Sequence, residues 1–252
     1  MNMQPDNVVI FTGDDKYKER AFELSQKLEA GIVCAKDELA EASLALMFDE
    51  NGLFLTDNKN SIRADFSHLL TRMKKGVVDT ELVVRAARFK KGGNDLTVLD
   101  ATAGFGEDSA LLAAAGFSVK LYEKDPVIAA LLEDAIGRAK ETEELLEVAS
   151  RMELVCGDSI SAMRNMEKSP DVIYLDPMFP ERKKSALIKK KFQLLQKLEM
   201  PCENEAELLE AAFAAAPRKI VVKRPAKGAC LAGKKPSHAI AGKAVRYDVY
   251  IL

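Results

Sequence analysis

The sequence predicts an α/β protein: a mostly parallel sheet with helices on both faces, preceded by a small N-terminal α+β unit. Three observations predict it. From Val77 onward, runs fit for strands alternate with runs fit for helices in strict turn. Four of those strands close on an acid, namely Asp100, Glu123, Asp158 and Asp176. Ahead of Val77 the pattern is different and contains a hairpin.

In the first part, "NVVIFTG" reads as a strand and "DDKYKERAFELSQKLEAG" as an amphipathic helix closed by Gly31. "SLALMFDENGLFLTDN" is a hairpin turning at its "ENG", and the alternating "SIRADFS" adds a further strand. The polar, basic "SHLLTRMKKG" ending in Gly76 is the seam, so residues 1–70 are expected to form one domain and 77–252 a second. The second opens on a helix, "DTELVVRAARF", with Asp79 as N-cap and Gly92 and Gly93 as its stop. Strand "LTVLD", helix "EDSALLAAAG" and strand "SVKLYE" follow. Then come one long helix "PVIAALLEDAIGRAKETEELLEVA", strand "MELVCGD", helix "SISAMRNME" and strand "DVIYLD". A basic helix, a second helix in "CENEAELLEAAFAAA" and strand "KIVVKRP" lead to "HAIAGKAVRYDVYIL", a terminal hairpin turning at Gly242 and Lys243.

Composition narrows the class. The 252 residues are 48% hydrophobic, ample for a core. No apolar run approaches the ~18 residues that a membrane span needs. "MNMQPDNVVIF" is acidic rather than basic before its short apolar run, unlike a secretory leader, so a cytoplasmic protein is expected. Cys34, Cys156, Cys202 and Cys230 lack a C-x-x-C pair and are read as reduced core thiols. His68 and His238 lie far apart, and no metal is expected. The formal net charge is only −2, but its distribution is uneven. Arg182, Lys183, Lys184, Lys189 and Lys190 crowd one segment, and Lys223 and Arg224 sit in a second basic stretch, as a polyanion footprint would.

In a parallel sheet, ligands bind beyond the carboxyl ends of the strands. After Asp100 comes "DATAGFGED", where Gly104 and Gly106 can take positive φ and bring backbone against a ligand. Glu123, closing the next strand, is placed to accept both hydroxyls of a ribose. This fits a dinucleotide or S-adenosylmethionine (SAM). Two features favour SAM. The third glycine of the dinucleotide fingerprint is Ser109 here, and a pyrophosphate would meet Asp100, Glu107 and Asp108, whereas the positive ammonium and sulfonium of SAM would not be repelled. Asp158 and Ser159 fall where an adenine would be read, and Asp158 equally suits an ordinary helix N-cap.

"VIYLDPMFP" halts a buried strand on Asp176 and stiffens the following turn with Pro177 and Pro180. An exocyclic base amine is a poor nucleophile because its lone pair is delocalised into the ring. A site that methylates it must supply acceptors for the NH2 group. The Asp176 carboxylate and the Pro177 carbonyl can be those acceptors, and Phe179 offers a ring on which a base can stack.

"DATAGFGED", "EKDPVIAALLEDAI", "VIYLDPMFPERKKSALIKK" and "VVKRP" together resemble the ribosomal RNA small subunit methyltransferase J family. The resemblance implies a Rossmann-like class I SAM-dependent methyltransferase domain with a seven-stranded, mostly parallel sheet and a C-terminal antiparallel hairpin. It implies methylation of the N2 amine of a guanine in 16S rRNA, free or in the 30S particle. By position in the motifs, it implies SAM contacts at Glu107, Asp108, Glu123, Lys124, Asp158, Ser159 and Asp176. The basic residues after the site would then hold phosphates while the guanine is splayed out of its stack. Three other readings use the same residues: an amino-methyltransferase acting on DNA adenine or a protein amide, an RNA-binding module with a relict SAM fold, and a nicotinamide-dependent oxidoreductase.

Overall fold

The computed structural model describes residues 8–90, 95–177, 194 and 204–252. Strands β1 (Val8–Phe11), β2 (Ile32–Val33), β3 (Leu44–Asp49), β4 (Gly52–Thr56) and β5 (Ser61–Ile62) form a sheet of order β2-β1-β3-β4-β5. β1 runs parallel to both β2 and β3, because helix α1 (Lys18–Leu28) carries the chain back between β1 and β2. β3 and β4 are the expected hairpin, with Asp49 opposite Gly52. The helix stop at Gly31 is corrected: α1 ends at Glu29, which takes the left-handed conformation and donates its N–H to Ser25 O. β2 and the short α2 (Lys36–Glu41) were not anticipated, and only two residues of "SIRADFS" pair as a strand.

Short α3 (Leu70–Met73) leads to a single 3-10 turn at Val78–Thr80 and to α4 (Leu82–Ala87). Asp79 therefore lies in that turn, and Glu81 holds the N-cap position of α4. α4 ends at Ala87, well before Gly92 and Gly93, which lie outside the described residues. Buried Lys219 replaces the glycine stop: its Nζ donates to Ala86 O at 2.9 Å and to Arg88 O at 2.6 Å, satisfying carbonyls that the helix leaves unpaired.

The second sheet comprises β6 (Thr97–Asp100), β7 (Ser118–Glu123), β8 (Met152–Cys156), β9 (Val172–Leu175), β10 (Lys219–Pro225), β11 (His238–Ala241) and β12 (Val245–Ile251). Its order is β11-β12-β10-β9-β6-β7-β8. β8, β7, β6, β9 and β10 are parallel, and β12 pairs antiparallel with both β10 and β11. Helices α5 (Glu107–Ala114), α6 (Pro126–Lys140) and α7 (Glu143–Ser150) link the strands on one side of β6. α8 (Ser159–Arg164) and α9 (Glu205–Ala214) follow β8 and precede β10. The long helix expected over residues 126–150 is two helices. Thr142 breaks it: its backbone turns extended, its Oγ1 donates to Arg138 O, and Glu143 and Glu144 open the next helix, where acids suit the positive end.

Strand alternation sorts the core. Val98, Val119, Leu121, Val172, Tyr174 and Val221 pack on the side of α4 to α7. Leu99, Ile173, Leu175, Ile220 and Val222 pack with Met163 of α8 and Leu208 and Leu209 of α9. The first core runs on without interruption into Ile10, Leu46, Leu55, Phe66 and Leu69 of the N-terminal part. Asp134 of α6 reinforces this junction, accepting from Leu53 N at 3.0 Å, Arg20 at 2.7 Å and Arg138 at 2.8 Å. Leu194 is buried. Cys202 lies outside the described residues, and the other three cysteines are not core thiols. Cys34 and Cys156 are exposed and Cys230 is half-buried, because Cys156 ends an edge strand and Cys34 follows one.

Candidate active site

β6 has β9 on one side and β7 on the other, so its carboxyl end is where the strand order reverses. The turn of residues 101–106 bridges both neighbours: Ala101 N donates to Tyr174 O and Ala103 N to Tyr122 O, each at 3.0 Å. Gly104 and Gly106 both take positive φ, at 53° and 71°, for different reasons. A Cβ on Gly104 would meet nothing within 4 Å, so its backbone faces open space. A Cβ on Gly106 would lie 2.8 Å from Leu132 Cδ1, so this glycine lets α5 start hard against α6.

The first two strand-end acids hold that turn. Asp100 is 1% exposed; its Oδ1 accepts from Thr102 N at 3.0 Å and its Oδ2 from Ser109 Oγ at 2.6 Å. Burial pushes its carboxyl up to about 7 against those two bonds. Glu123 accepts from Gly104 N at 2.8 Å and from Asp125 N at 2.9 Å, and burial raises its pKa as well. Asp125, not singled out from the sequence, caps α6 through Val127 N and Ile128 N. Lys124 beside it is exposed.

The third acid lies just past its strand. Asp158 sits two residues beyond β8 and caps α8, accepting from Ser161 N at 3.0 Å and Ser161 Oγ at 2.6 Å. Partial burial works against its charge, but those bonds outweigh it and hold the carboxyl below the usual range. Ser159 is buried, and Gly157 N donates to Glu123 O at 2.8 Å, so this turn abuts the end of β7.

The fourth acid meets the glycine turn directly. Asp176 N donates to Thr102 Oγ1 at 2.6 Å, tying the turn after β9 to the turn after β6. Lys223 Nζ donates to Asp176 Oδ2 and to Asp108 Oδ2, at 2.8 Å each. Asp108 Oδ2 also accepts from Tyr174 Oη at 2.5 Å. Burial raises the pKa of Asp176, and Lys223 draws it partly back. Burial opposes the Lys223 ammonium, but the two carboxylates outweigh it and raise its pKa. Tyr174 and Tyr247, whose ring centroids are 6.4 Å apart, are both shifted up by burial and the nearby acids. Glu107 opens the rim toward the N-terminal part, its Oε1 3.6 Å from His68 Nε2.

The structure thus brings Asp100, Gly104, Gly106, Asp108, Glu123 and Asp176 to one edge, with Pro177 buried beside them. Phe179, Arg182, Lys183, Lys184, Lys189 and Lys190 lie outside the described residues. Lys223 and Arg224 do not share a rim, because consecutive strand residues face opposite ways. Lys223 turns into the acid cluster, whereas Arg224 is 6% exposed, its Nε donating to Ala229 O at 2.8 Å and its Nη1 lying 3.3 Å from Glu205. Thr102, Ser109 and Tyr174 were missed. A polar-tipped aromatic inside the buried run "VIYLD" was the available signal for Tyr174. A separate groove of about 700 Å³, lined by Thr97, Ser118, Lys120, Glu153, Asn165 and Pro170, opens toward the opposite strand ends, and no strand-end acid lines it.

A family model described as "Putative SAM-dependent methyltransferase" matches residues 32–252. A crystal structure of a SAM-dependent methyltransferase from Neisseria gonorrhoeae superposes with a TM-score of 0.76 at 29% identity, over 97% of this chain and 95% of that one. Fold and cleft define a SAM-dependent methyltransferase. The chain is 42% identical over 220 residues, 84% of each protein, to the ribosomal RNA small subunit methyltransferase J of Pseudomonas fluorescens strain Pf0-1. It is 39% identical over 257 aligned positions, 99% of each, to that of Thioalkalivibrio sulfidiphilus. The chain belongs to the ribosomal RNA small subunit methyltransferase J family.

Proposed function

We propose that the protein methylates the exocyclic N2 amine of a guanine in small-subunit rRNA, free or in the 30S particle, and does so in the cytoplasm. One observation carries this reading: the Asp176 N to Thr102 Oγ1 bond of 2.6 Å, which puts the amine-accepting turn against the glycine turn. The relatives' name supplies the rRNA, and the acceptor chemistry of Asp176 and Pro177 suits an amine.

The residues present fit SAM. The Gly104 backbone faces open space, the edge is rich in carboxylates, and its lysine is already paired, which suits a cationic ligand better than a phosphate. Asp100 braces the turn; Gly104, Gly106, Glu107, Asp108, Glu123, Lys124, Asp158 and Ser159 would line the cofactor's place. Bound SAM supplies an electrophilic methyl whose carbon–sulfur bond leaves its electron pair on sulfur.

Asp176 and the Pro177 carbonyl accept the amine's hydrogens and hold its lone pair in line, so catalysis is mainly alignment. As charge grows on nitrogen, the Asp176 carboxylate stabilises it and takes the proton that nitrogen loses. Burial favours this by raising that carboxyl above the usual range. Phe179 would stack the base, and Arg182, Lys183, Lys184, Lys189 and Lys190 would hold phosphates.

The test is mass spectrometry of rRNA nucleosides from cells lacking the protein, complemented by wild type or by Asp176→Ala. Wild type restores N2-methylguanosine. Asp176→Ala binds SAM but lowers turnover at least ~100-fold, within the range for a positioned proton acceptor. Retained methylation in that variant would remove the role given to the carboxylate.

A further inference from the structure

We infer that Lys223 is a positioning residue of the methyl transfer, clamping Asp176 to Asp108 so that one carboxylate oxygen stays aimed at the amine. The inference rests on the reading above. Lys223 Nζ bonds Asp176 Oδ2 and Asp108 Oδ2 at 2.8 Å each, and Tyr174 Oη fixes Asp108 in turn at 2.5 Å. With Oδ2 held, Oδ1 is the oxygen left for the substrate, and among the described residues no donor bonds it. The side chain of Lys223 is 26% exposed, so it works inside the cleft and not as an open phosphate contact.

The surroundings make this ammonium necessary. Asp176 faces Asp108 of α5, of like sign, and Asp100 of β6, which adds to that charge only where it has ionised. Among the described residues, Tyr174 of β9, Arg224 of β10 and Tyr247 of β12 also act on this cluster, and Arg72 of α3 acts on Asp108 and Tyr247. Arg72 is held by Glu81 at 2.8 and 2.7 Å, and among the described residues Lys223 is the cation hydrogen-bonded to Asp176. Without it, neighbouring carboxylates would favour a neutral Asp176, which accepts an amine hydrogen poorly.

Asp108 and Asp176 share one cation, so two substitutions should act in opposite directions. Lys223→Met strands the acids, and the acid limb of the rate profile, where activity rises with pH as Asp176 ionises, moves to higher pH. Asp108→Asn removes the like charge and gives Lys223 wholly to Asp176, and the limb moves to lower pH.

The experiment measures kcat and KM for methylation of transcribed 16S rRNA by wild type, Lys223→Met, Lys223→Arg and Asp108→Asn across mildly acid to mildly alkaline pH. Calorimetry with SAM and thermal melting accompany it. Lys223→Met should lose on the order of tenfold to a hundredfold in kcat, as when a group orienting a reacting side chain is removed. Its SAM affinity should hold, and Lys223→Arg should recover part of the rate. If Lys223→Met does not fold, the downward limb of Asp108→Asn still decides. Unchanged kcat and limb in Lys223→Met, or limbs moving the same way in both variants, overturn the inference. A wild type that methylates no guanine removes the functional reading and this inference with it.

Discussion

Asp100 shows how a single buried carboxyl can serve the site by bracing it. Its two oxygens hold Thr102 N and Ser109 Oγ, and so fix the start of the glycine turn. Its pKa is raised from 3.8 to about 7, so within that window the folded protein keeps a proton that the unfolded chain has released. Stability linked to this group therefore falls as pH rises from about 4 to about 7, and is level above it. Asp100→Asn cannot ionise, and its melting temperature should gain on that of the wild type as pH climbs through the window. Thermal melts at a series of pH values check this; parallel curves would mean that Asp100 is not protonated in the fold. That Asp100 ends a strand just before the glycine turn could be read from the sequence. Its bracing of Ser109 could not, because burial to 1% depends on the packing of α5.

The strand-to-helix turn is the element on which the cleft depends, and its two glycines should fail differently. Gly104→Ala places a methyl in open space at φ 53°, where the strain is about 1 kcal/mol. Folding should survive while SAM binding weakens, because the methyl enters the cavity. Gly106→Ala adds a collision with Leu132 to the same strain, so stability should fall first and further. Denaturant titration beside SAM calorimetry separates the two, and equal losses of stability would contradict the assignment. Both glycines stood out in "GFG" as turn residues. Which one faces open space was hidden, since that depends on α6 lying behind Gly106. Helix ends were less legible still: α4 stops on a lysine ammonium supplied by β10, a partner more than a hundred residues downstream.

At the scale of the molecule, the division into 1–70 and 77–252 remains a proposal, and the core bears on it. Phe66 and Leu69 pack in the same cluster as Leu111 and Leu121, and Asp134 ties α6 to Leu53 and Arg20. Burial this continuous should make the chain unfold in one cooperative step, with fluorescence and circular dichroism coinciding. Two separated transitions would instead mark residues 1–70 as an independent domain.

The order of strands after Val77, and the acid carried at or near four of their ends, were determined by sequence alone, because hydrophobic period and turn chemistry are local; the basic helix expected after Asp176 lies outside the described residues. Asp176, Asp100, Glu123 and the two glycines could be named on that basis. Tertiary structure decided their partners. Asp108 and Lys223 are 115 residues apart, and they share a bond only because β10 lies beside β9 and β9 beside β6. Alternation along β10 then sends Lys223 into the cleft and Arg224 away from it. Charge written along a chain does not reveal which ammonium a buried carboxylate will hold, since that depends on strand order and on which face of the strand each side chain takes.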